Sequence, residues 1–235
     1  MKKIIVDSYK EMSELAASIL LSEMTKDKRT NISITAGATP KGVYKILTKW
    51  YLKYPESFID TYFYSFDEVE VGSLPGATIT DLNESFYKPA KIPRKRINSL
   101  TYANYQEYDQ LIKEDGGLDI MMLGLGQDGH FCGNMPYGTD LRQFTYKLPI
   151  KEEYPWYRAL QELFLGQDLP EYFVTMGMRS LMKVKHLILI VNGKAKAEAV
   201  KKMLTLDVTN EFPATALLQH PNLTIILDQE AAQIV

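Results

Sequence analysis

Seven short runs in this chain are apolar almost from end to end, and that property narrows the folds open to it. They are "KKIIVD" (2–7), "NISITAG" (31–37), "TYFYSF" (61–66), "LDIMMLGLG" (118–126), "EYFVTMG" (171–177), "HLILIVNG" (186–193) and "LTIILD" (223–228). Most do not alternate apolar with polar residues. A strand with no polar face belongs inside a parallel sheet that is covered on both sides. Between the runs, "SYKEMSELAASILLSEM" (8–24), "PKGVYKILTKWYL" (40–52), "YQEYDQLIKED" (105–115) and "KAKAEAVKKML" (194–204) carry helical spacing and good helix formers. Strand and helix alternate along the whole chain. The expected fold class is therefore α/β: a doubly wound, mostly parallel sheet with helices on both faces. No linker, repeat or low-complexity run divides the chain, so one domain over 1–235 is expected. The least legible stretch is "KEEYPWYRALQELFLGQDLP" (151–170), rich in aromatics and read either as a peripheral helix or as a lid.

Composition excludes several classes of partner. Net charge is -2, and no basic stripe interleaves with aromatics, so nucleic acid is not an expected ligand. No apolar run approaches the roughly 20 residues of a membrane helix. The single cysteine, Cys132, cannot form an intramolecular disulfide and suits a reducing compartment. The N-terminal apolar run stops at Asp7, too early for a secretion signal, and a cytoplasmic protein is expected.

Four unusual stretches each follow an expected strand, and open α/β sheets bind ligands at the carboxyl ends of their strands. In "TAGATPKG" (35–42), Gly37 with Ala36 and Ala38 lets a ligand approach the backbone. Thr39 offers a hydroxyl, and Pro40 opens a helix whose free amides and dipole favour an anion such as phosphate. The dinucleotide fingerprint and the Walker spacing are both missing, so the sheet is Rossmann-like without a nucleotide loop. In "YSFDEVEVG" (64–72), Asp67 and Glu68 follow an apolar run and are either aimed into a cleft or left as solvated turn residues. In "GLGQDGHFCG" (124–133), the glycines clear space, Asp128 can orient an imidazole, and His130 can exchange a proton near neutral pH. Metal binding is disfavoured there, because His186 and His220 are remote in sequence and no second ligand sits at a suitable spacing. Cys132 is a nucleophile on paper and a packing residue by context; His186 reads as structural. In "VNGKAKAEAV" (191–200), Lys194 and Lys196 stand at a helix start, unfavourable for the helix dipole unless an anion compensates them.

Taken in order, these motifs resemble the glucosamine-6-phosphate deaminase/isomerase family and, more distantly, the 6-phosphogluconolactonases of the same superfamily. The resemblance runs from the first strand to "PATALLQHPNLTIILD" (213–228). It implies that "GATP" is the phosphate loop, with Gly37, Ala38 and Thr39 binding substrate, and that Lys196 holds the phosphate. It places Asp67 as the base, Glu68 beside it in a supporting position, and Asp128 with His130 as the catalytic pair. One position departs from the pattern: Met135 stands where deaminases carry a glutamate that assists the histidine. No arginine matches the family's phosphate ligand, although Arg158 and Arg179 are candidates.

The resemblance implies isomerisation of an amino-sugar phosphate with loss of ammonia, using no metal and no organic cofactor. Its partner is a small sugar phosphate, and a homo-oligomer stays open. Lactone hydrolysis by His130 is the rival enzyme reading, favoured by Met135 and disfavoured by Val69, where lactonases usually carry arginine. A sugar-phosphate binder without turnover is the third, and it has no use for Asp67 or His130. On these grounds Met135→Glu is expected to restore the assisting acid, provided the new charge is hydrated or paired.

Overall fold

Apolar pattern and helix signals decide the elements in turn. The computed structural model describes residues 1–165 and 167–235. β1 (Lys2–Val6) leads to Ser8, whose hydroxyl accepts from the Glu11 amide and caps α1 (Tyr9–Met24). Met12, Ala16, Leu20 and Met24 recur one turn apart on α1 and are all buried. β2 (Thr30–Ser33), α2 (Lys41–Lys53) and β3 (Thr61–Tyr64) follow. Next come the two-residue strand β4 (Asp67–Glu68), the short helix α3 (Ala77–Leu82) and β5 (Ile97–Asn98). The chain then forms α4 (Tyr108–Glu114), β6 (Ile120–Leu123), β7 (Tyr146–Pro149), α5 (Tyr157–Leu163) and β8 (Tyr172–Thr175). It closes with α6 (Met178–Leu181), β9 (Leu187–Val191), α7 (Ala197–Thr205) and β10 (Leu223–Asp228).

Seven strands pair in the order β1-β10-β9-β6-β2-β3-β5, and every pairing in this sheet is parallel. Successive residues of its central strands serve opposite cores. On β9, Leu187, Leu189 and Val191 enter one apolar cluster, while Ile188 and Ile190 enter the other. Met121 and Leu123 of β6 join the first cluster, and Ile120 and Met122 the second. This two-sided burial is the physical content of the doubly wound reading. Among the described residues, no helix is long and apolar enough to cross a membrane.

One strand departs from expectation. The run 171–177 forms β8, which lies outside the parallel sheet and pairs antiparallel with β4 and β7 in a second, three-stranded sheet. Its apolar residues divide between two clusters: Phe173 enters a separate one with Val69, Met135 and Leu148, while Val174 and Met176 join the core that also holds Leu187 and Leu189. Periodicity could not distinguish that burial from a place in the main sheet.

Sequence order reverses between β6 and β2, so the loops at their carboxyl ends part and leave a crevice. At the opposite end a buried carboxylate closes the same seam. Asp119 accepts from the Asn31 amide at 2.9 Å and from Lys28 and Lys185 at 3.0 and 2.9 Å. Burial opposes its ionisation, but the amide and the two lysines together hold it below the ordinary carboxylate range. Asp119→Ala is expected to cost about 2 kcal/mol in denaturant unfolding, mostly through the orphaned amide, since both lysines are exposed and screened. Because the folded-state pKa is depressed, this contribution is present above the unfolded value and fades as pH falls through the folded one.

Candidate active site

A cavity of about 470 Å³ opens over the β2–β6 seam, and the loops that follow β2, β3, β6 and β9 all contribute to its wall. Gly37, Ala38, Thr39, Asp67, Glu68, His130 and Lys196 line it; Asp128 stands behind His130. Arg158 and Arg179 are not in the wall. Arg158 is exposed on α5, and the Arg179 guanidinium stacks on the Phe144 ring, 4.2 Å from its centroid.

The loop after β2 is shaped by glycine and by a tyrosine from α1. Gly37 takes φ +101°, a left-handed conformation that a side chain would strain. Its amide donates to the Asp81 carboxylate at 2.9 Å, so a protein anion already occupies one donor of this loop. The Tyr9 hydroxyl accepts from the Gly42 amide (2.8 Å) and donates to the Thr39 carbonyl (3.0 Å), locking the turn into α2. Lys196 ends the 3-10 turn after β9. That turn is tied down by the Gly193 amide, which donates to both oxygens of Asp228 at 3.0 and 3.1 Å. The Lys196 ammonium donates to the Leu125 carbonyl at 2.5 Å. Burial lowers its pKa, against the attraction of Asp128.

His130 is fixed through one ring nitrogen. Nδ1 lies 2.6 Å from Asp128 Oδ1, and the His130 amide donates to the same oxygen at 3.2 Å. Burial pushes the Asp128 carboxyl up, but the histidine hydrogen bond, its charge and its amide outweigh that and hold it below the usual range. An ionised Asp128 orients the ring and leaves Nε2 for the cavity. Gly126 makes this approach sterically feasible, because a Cβ there would overlap both the imidazole and the Asp128 carboxylate.

Asp67 sits on β4 opposite Thr175 of β8. The Thr78 hydroxyl donates to its Oδ1 at 2.8 Å. Burial pushes the Asp67 carboxyl up to about 6, with Thr78 and the charge of His130 pulling the other way. Glu68 points its two oxygens at backbone: Oε1 accepts from the Val69 and Thr78 amides at 3.0 and 2.8 Å, and Oε2 from the Ile79 amide at 3.0 Å. Burial raises Glu68 to about 8 against those three amides. Its place is structural: it pins the start of α3 to β4, and so sets Thr78 against Asp67. Thr175 also accepts from the Gly133 amide at 2.9 Å, so the small sheet joins the Asp67 strand to the His130 loop.

Cys132 lines the cavity at φ +49°. Burial, helped by the Asp67 charge, pushes its thiol well above the ordinary value, which keeps it protonated and a poor nucleophile. His186 and His220 lie outside the wall, bonded to the Thr224 hydroxyl and the Val184 carbonyl, each at 2.9 Å. Several contributors were not legible beforehand, among them two polar residues and an indole. Thr78 and Asp81 come from α3, a helix too short to show a period, and Trp156 comes from the aromatic stretch before α5.

Met135 does not face the cavity. Its side chain is fully buried among Val69, Leu148, Tyr154 and Phe173, and its sulfur accepts the Trp156 indole N–H at 3.4 Å. The condition attached to Met135→Glu, hydration or pairing of the new charge, is not met there.

The geometry agrees with what the chain is similar to. The family model for glucosamine-6-phosphate isomerases/6-phosphogluconolactonase matches residues 7–226. The chain belongs to that family. A glucosamine-6-phosphate deaminase of Lysinibacillus sphaericus is 34% identical over 96% of this chain and 98% of its own length. Another from Shouchella clausii is 32% identical over 100% of this chain and 97% of its own. A solved monomeric glucosamine-6-phosphate deaminase superposes with TM-score 0.85 at 27% identity, covering 100% of both chains. The 6-phosphogluconolactonase of Trypanosoma cruzi gives TM-score 0.78 at 18% identity, over 100% of this chain and 96% of its own, and so shares the fold.

Two outcomes follow for this family member. Gly126→Ala should leave the circular dichroism spectrum unchanged yet lower turnover roughly a hundredfold, the scale of a 1 Å displacement at the reacting groups. Met135→Glu should lower thermal stability, by about 3 kcal/mol or on the order of 10 °C, without raising activity. A melting scan and an ammonia assay on the same sample check it.

Proposed function

We propose that this protein converts a 2-amino-2-deoxyhexose 6-phosphate, of the glucosamine 6-phosphate kind, into the ketose 6-phosphate and ammonia. The observation that carries this reading is the pairing of two proton-handling groups in one cavity: Asp67, raised to about 6 by burial, and His130, oriented by Asp128. Relatives at 32% and 34% identity over nearly their full length support it by carrying the name deaminase. The lactonase structure, at 18% identity, speaks to the fold alone.

Each step then has a residue. The amides of the Gly37 loop, Thr39 and the Lys196 ammonium hold the phosphate, fixing the sugar at a distance from the chemistry. His130 moves the proton that opens the ring to the aldehyde. Asp67 takes the C2 proton and returns it to C1, while a proton given up by the amino nitrogen passes to O1; the aldehyde becomes a primary alcohol and C2 is left as an imine. Water hydrolyses the imine to the ketone, and ammonia departs. A base must be ionised to act, so the raised Asp67 pKa sets the lower limb of the pH profile. A cytoplasmic location suits a sugar-phosphate enzyme whose one cysteine, Cys132, is a thiol.

The expected result is ammonia release from glucosamine 6-phosphate, with kcat/KM rising as pH passes upward through about 6. Asp67→Asn should keep the fold and abolish exchange of the C2 proton with solvent deuterium, followed by NMR. Hydrolysis of 6-phosphogluconolactone without any ammonia release would reverse the assignment.

A further inference from the structure

One part of the cavity wall is apolar. Trp156, Leu160 and Phe173 lie there, with Phe173 against Gly133 of the loop that carries His130. Phe173 rests directly on Gly133, where a Cβ would overlap its ring. Trp156 packs edge-on against Phe173, with centroids 5.2 Å apart and planes at 81°, and tilts against Tyr154 at 5.0 Å. Its indole N–H is held by the Met135 sulfur at 3.4 Å. The ring is thus fixed by three neighbours and still contributes to the cavity wall.

A pyranose presents C–H bonds on its faces and hydroxyls around its rim. An indole is the side chain with the largest flat apolar surface against which to bury such a face. Pockets of this kind combine apolar and aromatic walls with a few placed polar groups. We propose that Trp156 is a substrate-positioning, specificity-determining residue whose indole packs on the C–H face of the bound sugar phosphate, and that Met135 is the positioning residue that sets the indole. Met135 is then part of the binding apparatus, acting through Trp156, rather than a gap left by a missing acid. The sugar-phosphate class of the ligand rests on the proposed function; the stacking itself does not depend on turnover.

The chain has two tryptophans, and Trp50 is 45% exposed on α2, outside the cavity wall. Trp50→Phe therefore leaves Trp156 as the only indole. With Asp67→Asn added to stop turnover, glucosamine 6-phosphate should change the emission saturably, while inorganic phosphate at the same concentration should not. In steady-state assays Trp156→Ala should lower kcat/KM about tenfold, mainly through KM, and Trp156→Phe should recover most of it. Met135→Leu conserves volume but removes the sulfur acceptor, and should raise KM in the same direction with a small change in melting temperature. Unaltered kcat/KM in Trp156→Ala would overturn the proposal. So would an unresponsive indole in a protein whose wild type releases ammonia. A saturable indole response without ammonia release by the wild type would keep this proposal and remove the deaminase reading instead.

Discussion

The pairing of β2 with β6 is the constraint on which the site depends. Sequence order reverses there, and the ladder is short: Ile32 faces Ile120 and Ser33 faces Met121. Beyond those residues the two strands give way to different loops, one rich in small residues and one carrying His130. A crevice at such a seam is a consequence of topology, since connections that leave in opposite directions cannot cover the gap between them. Asp119 fastens the other end of the seam to β2 and to Lys185, two residues before β9, so the strands stay together where no ligand is needed. The four loops of the cavity inherit their positions from this arrangement.

Within the cavity, the field is set by burial more than by pairing. Asp67 is raised because its carboxylate loses water, and only a hydroxyl and a histidine charge compensate it. Asp128 is less deeply buried and stays acidic, because His130 offers it both a ring nitrogen and an amide. Two aspartates in one site thus take opposite roles, one able to gain and lose a proton and one holding a charge. The small antiparallel sheet links them: β8 pairs with the Asp67 strand, and its Thr175 hydroxyl takes the Gly133 amide from the His130 loop.

The loop proposed to bind phosphate already holds a carboxylate, and that bears on binding. Asp81 satisfies the Gly37 amide, so a phosphate bound at this loop would displace it or share the loop with it. Lys196 is the only lysine, and no arginine is present, among the described residues of the wall. On the proposed function, recognition of the anion would lean on backbone amides and one ammonium, and the proposed packing against Trp156 would carry a larger share of the affinity than it would beside an arginine.

The alternation of continuous apolar runs with helical patterns determined the α/β class, because strands buried on both faces leave no polar period to misread. The glycine-flanked "DGH" and the "GATP" turn were equally legible, since both rules are local: Asp128 and His130 are two residues apart, and Gly37 needs its positive φ whatever surrounds it. Distance in sequence hid the rest. Thr78 reaches Asp67 only because Glu68 gathers the amides that begin α3, and no period in a six-residue helix announces that. The run 171–177 has the composition of a main-sheet strand but pairs elsewhere, because burial alone does not specify which sheet supplies it. Met135 is the sharpest case. As a letter beside Pro136 it reads as a lost acid; in space it is a buried sulfur under an indole. Only the packing of four segments around it, carrying Val69, Leu148, Trp156 and Phe173, could decide which way that side chain points.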